Sequence, residues 1–275
     1  MISFTKMEGC GNDFILIEDQ NEVLGNDLSI LGRALCERTT GIGADGLIVI
    51  RADEKPFAYR VVIINASGLP AEMCGNGARC VARYAILQGL APQRHQFRTE
   101  AGLISAELVG DDVRVGLSPP GPIALNQTLE IDGRSWTLDC VDTGVPHAVI
   151  WSDQPLEDID VHRLGSALRH HRFFPKGANI NFVARERGEL RIRTFERGVE
   201  AETQACGTGA AAAALLAHAR GFAASPVRVH TRHGGVLTID IEARRDTPEV
   251  LHLMGPANVV FTGQLDEGWW TRHCS

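Results

Sequence analysis

Two short segments put a cysteine where side-chain chemistry is expected. One is Cys74-Gly75-Asn76-Gly77-Ala78; the other is Cys206-Gly207-Thr208-Gly209-Ala210, and the cysteines stand 132 residues apart (206 − 74). Each segment opens a helical run, 79–87 closed by Gly89 and 211–220 closed by Gly221. A cysteine at a helix start meets unpaired backbone N–H groups and the positive end of the helix dipole. Both favour the thiolate, so the thiol pKa falls and the sulfur becomes a nucleophile or a base. The glycines that follow let a ligand reach those N–H groups, and a carboxylate is the natural guest. The bland alternative is a tight strand-to-helix turn built of small buried residues, and its occurrence twice in matching places argues against that. Two thiols addressing one carboxylate-bearing carbon define a reaction. One thiolate removes the α-proton from one face while the other thiol supplies a proton to the opposite face. That is two-base racemisation or epimerisation of a small amino acid, and it calls for no cofactor, pyridoxal included, and no metal.

The elements that must position these cysteines repeat with them. A slide of 132 residues also sets Thr99 on Thr231, Gly102 on Gly234, and the strand 59–64 on 191–196. Each half closes alike, with 113–117 before Ser118-Pro119-Pro120 and 250–254 before Gly255-Pro256. Within each half a β-rich segment (13–17; 148–151) leads to a Gly-rich turn and a second strand (47–50; 181–183). A further strand runs into the cysteine loop, a helix follows, and alternating strands (96–99, 104–108, 113–117 in the first half) finish the unit. The run Ala210–Ala217 is apolar on nearly every side, so the helix it forms must be surrounded. The expected fold is α/β of the α+β type, two pseudo-symmetric halves, each a mostly antiparallel sheet wrapped around a central apolar helix. The boundary is placed in Ser118-Pro119-Pro120-Gly121-Pro122. The first half is then 1–119, with a tail from about residue 263 to 275 free to pack back on it, and the second half is 120–262.

Composition narrows the setting. The 275 residues make about two domain lengths, and 44% hydrophobic with 22% charged is ordinary globular usage. Seven cysteines are an odd count and too few for a disulfide scaffold, so reduced thiols in the cytoplasm are expected. With 27 basic against 34 acidic residues and net charge −7, the chain lacks the field that attracts phosphates, and nucleic acid is not an expected partner. No apolar stretch nears the roughly 18–20 residues that cross a bilayer, and residues 1–14 do not read as a signal core. No membrane association is expected.

The run Lys6-Met7-Glu8-Gly9-Cys10-Gly11-Asn12-Asp13-Phe14 resembles the amino-terminal signature of the diaminopimelate epimerase family. So do Met73-Cys74-Gly75-Asn76-Gly77-Ala78-Arg79-Cys80 and Phe195-Glu196-Arg197-Gly198 followed by Glu202-Thr203-Gln204-Ala205-Cys206-Gly207-Thr208-Gly209. The resemblance extends from Phe4 to about Phe261. It implies two like α/β halves closing over the substrate and interconversion of L,L- and meso-diaminopimelate, a precursor of lysine and of peptidoglycan. Carried over by position, it makes Cys74 and Cys206 the acid/base pair and gives the reacting carboxylate to the N–H groups of Gly75-Asn76 and Gly207-Thr208. It gives the rest of the substrate to Asn12, Asn65, Asn179, Glu196 and Arg197, and the tuning of the thiols to His147 and Glu196. Arg197 also makes independent sense as a bidentate clamp on a second carboxylate.

The sequence departs from the family pattern at Gly46, where some members carry glutamine, and at Val145, where an asparagine is common. It departs also at Ser67, Leu69 and Pro70 within Asn65–Pro70, and at Glu8 and Cys10. These positions touch substrate-facing loops, which keeps open a racemase of the same mechanism acting on a different amino acid. From another class, two low-pKa thiols could form a redox switch. Other features are set aside. Gly41-Ile42-Gly43-Ala44-Asp45-Gly46 fits a dinucleotide fingerprint by letter but precedes a strand, where the fingerprint must follow one and open a helix. His162, His170 and His171 lack ligand partners at metal spacing. Cys10, Cys36, Cys80, Cys140 and Cys274 are read as bystanders. Trp269-Trp270 is read as packing, either back onto the body or against a second copy in a homodimer.

Overall fold

The structure, a computed structural model, describes residues 2–71, 73–232, 234–242 and 250–274; the side chain of Cys274 lies outside the described set. The chain forms two compact units, Met1–Val115 with Gly255–Ser275, and Gly116–Met254.

In the first unit β1 (Ser3–Gly9) and β2 (Asn12–Glu18) form a hairpin, and α1 (Ser29–Cys36) crosses to β3 (Gly46–Arg51), which runs parallel to β2. Then β4 (Arg60–Asn65) returns antiparallel to β3, and the two-residue β5 (Pro70–Ala71) hangs on β4. The helix α2 (Gly75–Leu87) carries the chain to β6 (Arg94–Thr99), parallel to β4, and β7 (Gly102–Val109) and β8 (Asp112–Gly116) follow antiparallel. Every residue of β3 is buried, as an unbroken apolar run requires when both faces of a strand are covered. Leu47 and Val49 pack with Leu31, Leu35 and Cys36 of α1. Ile48 points the other way, into α2: a side chain at Gly77 would start 3.1 Å from its Cδ1.

The second unit repeats the plan. Here β9 (Ala124–Ile131) and β10 (Arg134–Asp142) pair antiparallel, β11 (Pro146–Trp151) follows, and α3 (Val161–Arg169) crosses to β12 (Asn179–Glu186), parallel to β11. Then come β13 (Glu189–Glu196), the short β14 (Ala201–Thr203) and α4 (Gly207–Ala219). The unit ends with β15 (Val227–His230), parallel to β13, β16 (Val236–Glu242) and β17 (Val250–Gly255). All of Ala210–Ala217 is buried, with β10 to β13, β15 and β16 packed around α4, as a helix without a polar face demands. On the outer face of the sheet, Val161, Leu164 and Leu168 of α3 join Ile180, Phe182 and Phe195 in one cluster. Close approach requires Gly165, whose missing Cβ would lie 2.4 Å from that of Phe195.

The chain then returns to the first unit. There β18 (Asn258–Gln264) pairs antiparallel with β1, from Ser3↔Gln264 to Glu8↔Asn258, and α5 (Glu267–Cys274) ends the described chain. In the first unit β18 thus holds the place that β9 holds in the second. The return begins at Gly255, ahead of the tail expected from about 263, and the division on the other side falls after Val115. Trp269 donates its indole N–H to the Thr40 carbonyl at 2.9 Å and packs with Trp270 against the α1 cluster, so of the two expected arrangements the first is seen.

Candidate active site

Each cysteine segment folds into the same corner. Cys74 (φ −139°, ψ 116°) and Cys206 (φ −116°, ψ 108°) are the extended residues just before α2 and α4. Their carbonyls accept the first helical bonds, from Ala78 N at 2.7 Å and Ala210 N at 2.9 Å. The N–H groups of Gly75-Asn76-Gly77 and Gly207-Thr208-Gly209 therefore lie outside the helical ladders, and no cysteine side chain caps them. Such a corner can hold a carboxylate on its N–H groups with a sulfur beside it.

In the first unit three of the expected residues meet. Asn12, at the start of β2, accepts at Oδ1 from the Cys74 thiol at 3.7 Å and from Asn76 Nδ2 at 3.2 Å. Its Nδ2 donates to Asp45 Oδ2 at 2.6 Å. Asp45 is in turn held by Arg38 at 3.0 Å and by the Asp13 N–H at 3.2 Å. Arg79, wholly buried on α2, donates to Asn76 Oδ1 at 2.9 Å and to the carbonyls of Gly75 and Pro256. Among the described residues no carboxylate forms an ion pair with it, so its charge is spent on these three oxygens and, at 3.9 Å, on the sulfur of Cys10. Asn65 ends β4 with its side chain exposed, and its backbone shapes the Ser67–Leu69 turn.

In the second unit Asn179, His147 and Thr208 gather around Cys206. Asn179 Nδ2 donates to the Cys206 sulfur at 3.9 Å, and Asn179 Oδ1 accepts from the Arg197 N–H at 2.8 Å. The Thr208 hydroxyl lies 3.5 Å from the same sulfur and 3.0 Å from His147 Nε2. Asn181 Nδ2 donates to the Ala148 carbonyl at 2.9 Å and faces His147 Nδ1 at 3.1 Å. Full burial, helped by the Arg197 charge, pushes the imidazole pKa down to about 3, so His147 is neutral and, accepting at Nδ1, carries its proton on Nε2. Glu196 ends β13 half-buried. Arg197 follows it, and among the described residues its guanidinium bonds only from Nη1 to the Lys176 carbonyl and no carboxylate pairs with it. A planar guanidinium so placed can receive a ligand carboxylate.

Gly46 lies in β3 with the Phe14 ring in the space a side chain would need, 3.3 Å from the ideal Cβ. Ser67 and Pro70 are exposed at the turn between β4 and β5. Gly41–Asp45 is loop leading into β3, without the helix a dinucleotide site needs. The His162 ring meets the edge of Phe195, and His170 caps the end of α3 beside Glu200. Burial pushes the Cys36 and Cys140 thiols up to about 12 and raises those of Cys10 and Cys80, so none of these four is set up as a thiolate. Asp45, Arg79 and Asn181 join the site without a sequence motif that marks them. Their signal was weak: Asp45 and Arg79 reach Cys74 only through the amides of Asn12 and Asn76, and Asn181 reaches Cys206 only through His147 and Thr208.

Two like units, each turning a strand into a helix across a cysteine, place the chain in the fold of the two-unit amino-acid racemases and epimerases. A hydroxyproline epimerase structure from Agrobacterium vitis superposes with TM-score 0.72 at 16% identity, over 96% of this chain and 92% of that one. The family profile for diaminopimelate epimerase matches residues 4–121 and 139–260. Diaminopimelate epimerase of Aquifex aeolicus is 42% identical over 97% of this chain and 98% of its own length. That of a Hydrogenobaculum strain is 41% identical over 95% and 97%. The chain belongs to the diaminopimelate epimerase family.

Proposed function

We propose that this protein interconverts L,L- and meso-diaminopimelate by proton transfer at one α-carbon, with Cys74 and Cys206 as the acid/base pair. The observation that carries the reading is the pair of matching corners, each with its cysteine at a helix start, in a chain that matches diaminopimelate epimerases along nearly its whole length. The N–H groups of Gly75-Asn76 and Gly207-Thr208 bind the carboxylate of the reacting centre and stabilise the charge that builds on it as the α-proton leaves. One thiolate takes that proton and the other thiol returns one to the opposite face, so each turnover exchanges which sulfur is charged. Arg197 clamps the distal carboxylate, with Glu196, Asn12, Asn65 and Asn179 binding and orienting the substrate. His147 and Glu196 tune the thiols. Both sulfurs must be reduced, which suits the cytoplasm; the six described cysteines are free thiols.

Exchange of the α-proton with solvent deuterium, followed across a panel of amino acids in strong reductant, tests the reading. Rapid exchange on diaminopimelate alone is expected; exchange centred on another amino acid overturns the substrate, and none at all overturns the reaction. Cys74→Ala and Cys206→Ala should each lower epimerisation by about 10²-fold or more, the usual weight of one acid or base. Near-normal turnover in either variant defeats the assignment.

A further inference from the structure

The two cysteine corners repeat in backbone but not in polarity. In the first unit a chain of hydrogen bonds runs Arg79→Asn76→Asn12→Asp45. Its ends leave no choice of direction: a guanidinium can only donate and an ionised carboxylate can only accept. Arg79 therefore turns the Asn76 oxygen inward and its NH₂ outward, and Asp45 claims the NH₂ of Asn12. From both sides the Asn12 oxygen is left facing Cys74, where it can accept a hydrogen bond from S–H but offers nothing to S⁻.

The second unit is wired the other way. The Arg197 N–H, a donor only, claims the oxygen of Asn179 and turns its NH₂ onto Cys206. The Ala148 carbonyl, an acceptor only, fixes the NH₂ of Asn181 on its own side, which makes His147 Nδ1 an acceptor and leaves the proton on Nε2. His147 then donates to the Thr208 oxygen, freeing the Thr208 hydroxyl proton to point at the Cys206 sulfur. Two donors thus converge on Cys206. Hydrogen bonds to the charged form favour that form, and bonds available only to the neutral form favour the neutral one.

We infer that the free protein rests in one of its two proton states, with Cys206 as the thiolate base and Cys74 as the protonated acid, and that Asp45 and Arg79 are positioning residues which hold Cys74 in the thiol form through Asn12. The inference rests on the proposed two-thiol chemistry and adds a starting direction to it. The unliganded protein is ready to take a proton with Cys206 and deliver one with Cys74, so a substrate that needs the reverse must first wait for the proton to change sulfurs.

Substoichiometric alkylation by iodoacetamide, with the label located by peptide mass, reads the resting state directly because the thiolate is the reacting species. Label on Cys206 should exceed label on Cys74 by about 10-fold, although Cys206 is the more buried of the two. Equal labelling, or labelling led by Cys74, overturns the inference. Ultraviolet thiolate absorbance supplies a second reading: it should persist in Cys74→Ala and vanish in Cys206→Ala, and the opposite pattern is equally fatal. Asp45→Asn removes one of the two anchors on the Asn12 amide and should move label toward Cys74, while Asp45→Glu, still an acceptor only, should leave the pattern as in the parent. A purely structural Asp45 would leave the label ratio unmoved in both. Protein that epimerises diaminopimelate but labels first on Cys74 removes this inference alone. Protein that labels on Cys206 but epimerises nothing removes the proposed function and leaves the polarity standing.

Discussion

At the scale of single residues, the chain separates charges that build structure from charges left open for a ligand. Arg193 is locked onto Glu202 by two bonds of 2.7 and 2.8 Å, and Arg220 grips the buried Asp139. Arg197, the residue just past β13, donates from its guanidinium only to the Lys176 carbonyl among the described residues. Arg197→Lys should therefore leave the unfolding midpoint nearly unchanged and lower kcat/KM about 10-fold or more, because a point charge cannot reproduce a planar two-pronged contact. Steady-state kinetics beside a denaturant titration would separate these effects; a loss of stability comparable to the loss of activity would count against the role. His147 gives a pH signature. In the unfolded chain its imidazole takes a proton near pH 6.5, but in the fold only near 3. Between those values the unfolded state binds the extra proton, so His147 makes stability fall as pH drops below 6.5, by up to about 1.4 kcal/mol for each pH unit. Urea unfolding at pH 7 and pH 5 should show this loss in the parent and a smaller one in His147→Gln.

At the scale of elements, the two cysteine helices were legible in the sequence because their signal is local: a cysteine, alternate glycines, an apolar run and a closing glycine, twice at one spacing. The strands followed from alternation and from the repeat. What could not be read was how a helix start is tied to the strand beside it. Gly209 is an instance. Its spacing marked it as small, but the reason for its smallness is tertiary: a Cβ there would lie 2.5 Å from Asn181 Oδ1 and 3.3 Å from the Cys206 sulfur. Asn181 is fully buried and holds His147. Gly209→Ala should therefore cost about 1–3 kcal/mol through overpacking, despite alanine's better helix propensity, and depress turnover further by unseating the imidazole. If the variant proved more stable than the parent, the contact would be less strict than its geometry states. Asp45 was hidden for the opposite reason. It sat inside a glycine-rich run whose letters suggested nucleotide binding, and only the fold brings it beside Asn12.

At the scale of the whole molecule, repetition is complete in topology and broken in connectivity. Every strand of the second unit is contiguous in sequence, whereas the first borrows β18 from beyond it. Nothing in the pattern of β18 announced this. Five of its first residues are exposed in succession, so the in-out alternation that marks a half-buried strand is missing. Removing 255–275 should unfold the first unit selectively, since β1 loses its partner, the α1 cluster loses Leu265, Trp269 and Trp270, and Arg79 loses the Pro256 carbonyl. Amide exchange on the shortened chain should find protection kept in β10 to β13 and lost in β1 and β2; uniform protection would show that β18 is dispensable.

The same borrowed strand sets an order of events during synthesis. Residues 116–254 carry strands β9 to β17 in one continuous stretch and can begin to fold once they have left the ribosome. The first unit, although made earlier, has β1 with an open edge until β18 emerges behind the second unit. At about 5–20 residues per second that is an interval of many seconds in which the older half of the protein waits on the younger. During it, the apolar strand β2 sits beside a neighbour with an open edge, which is the moment at which a nascent chain of this design is most exposed to aggregation and most in need of a chaperone.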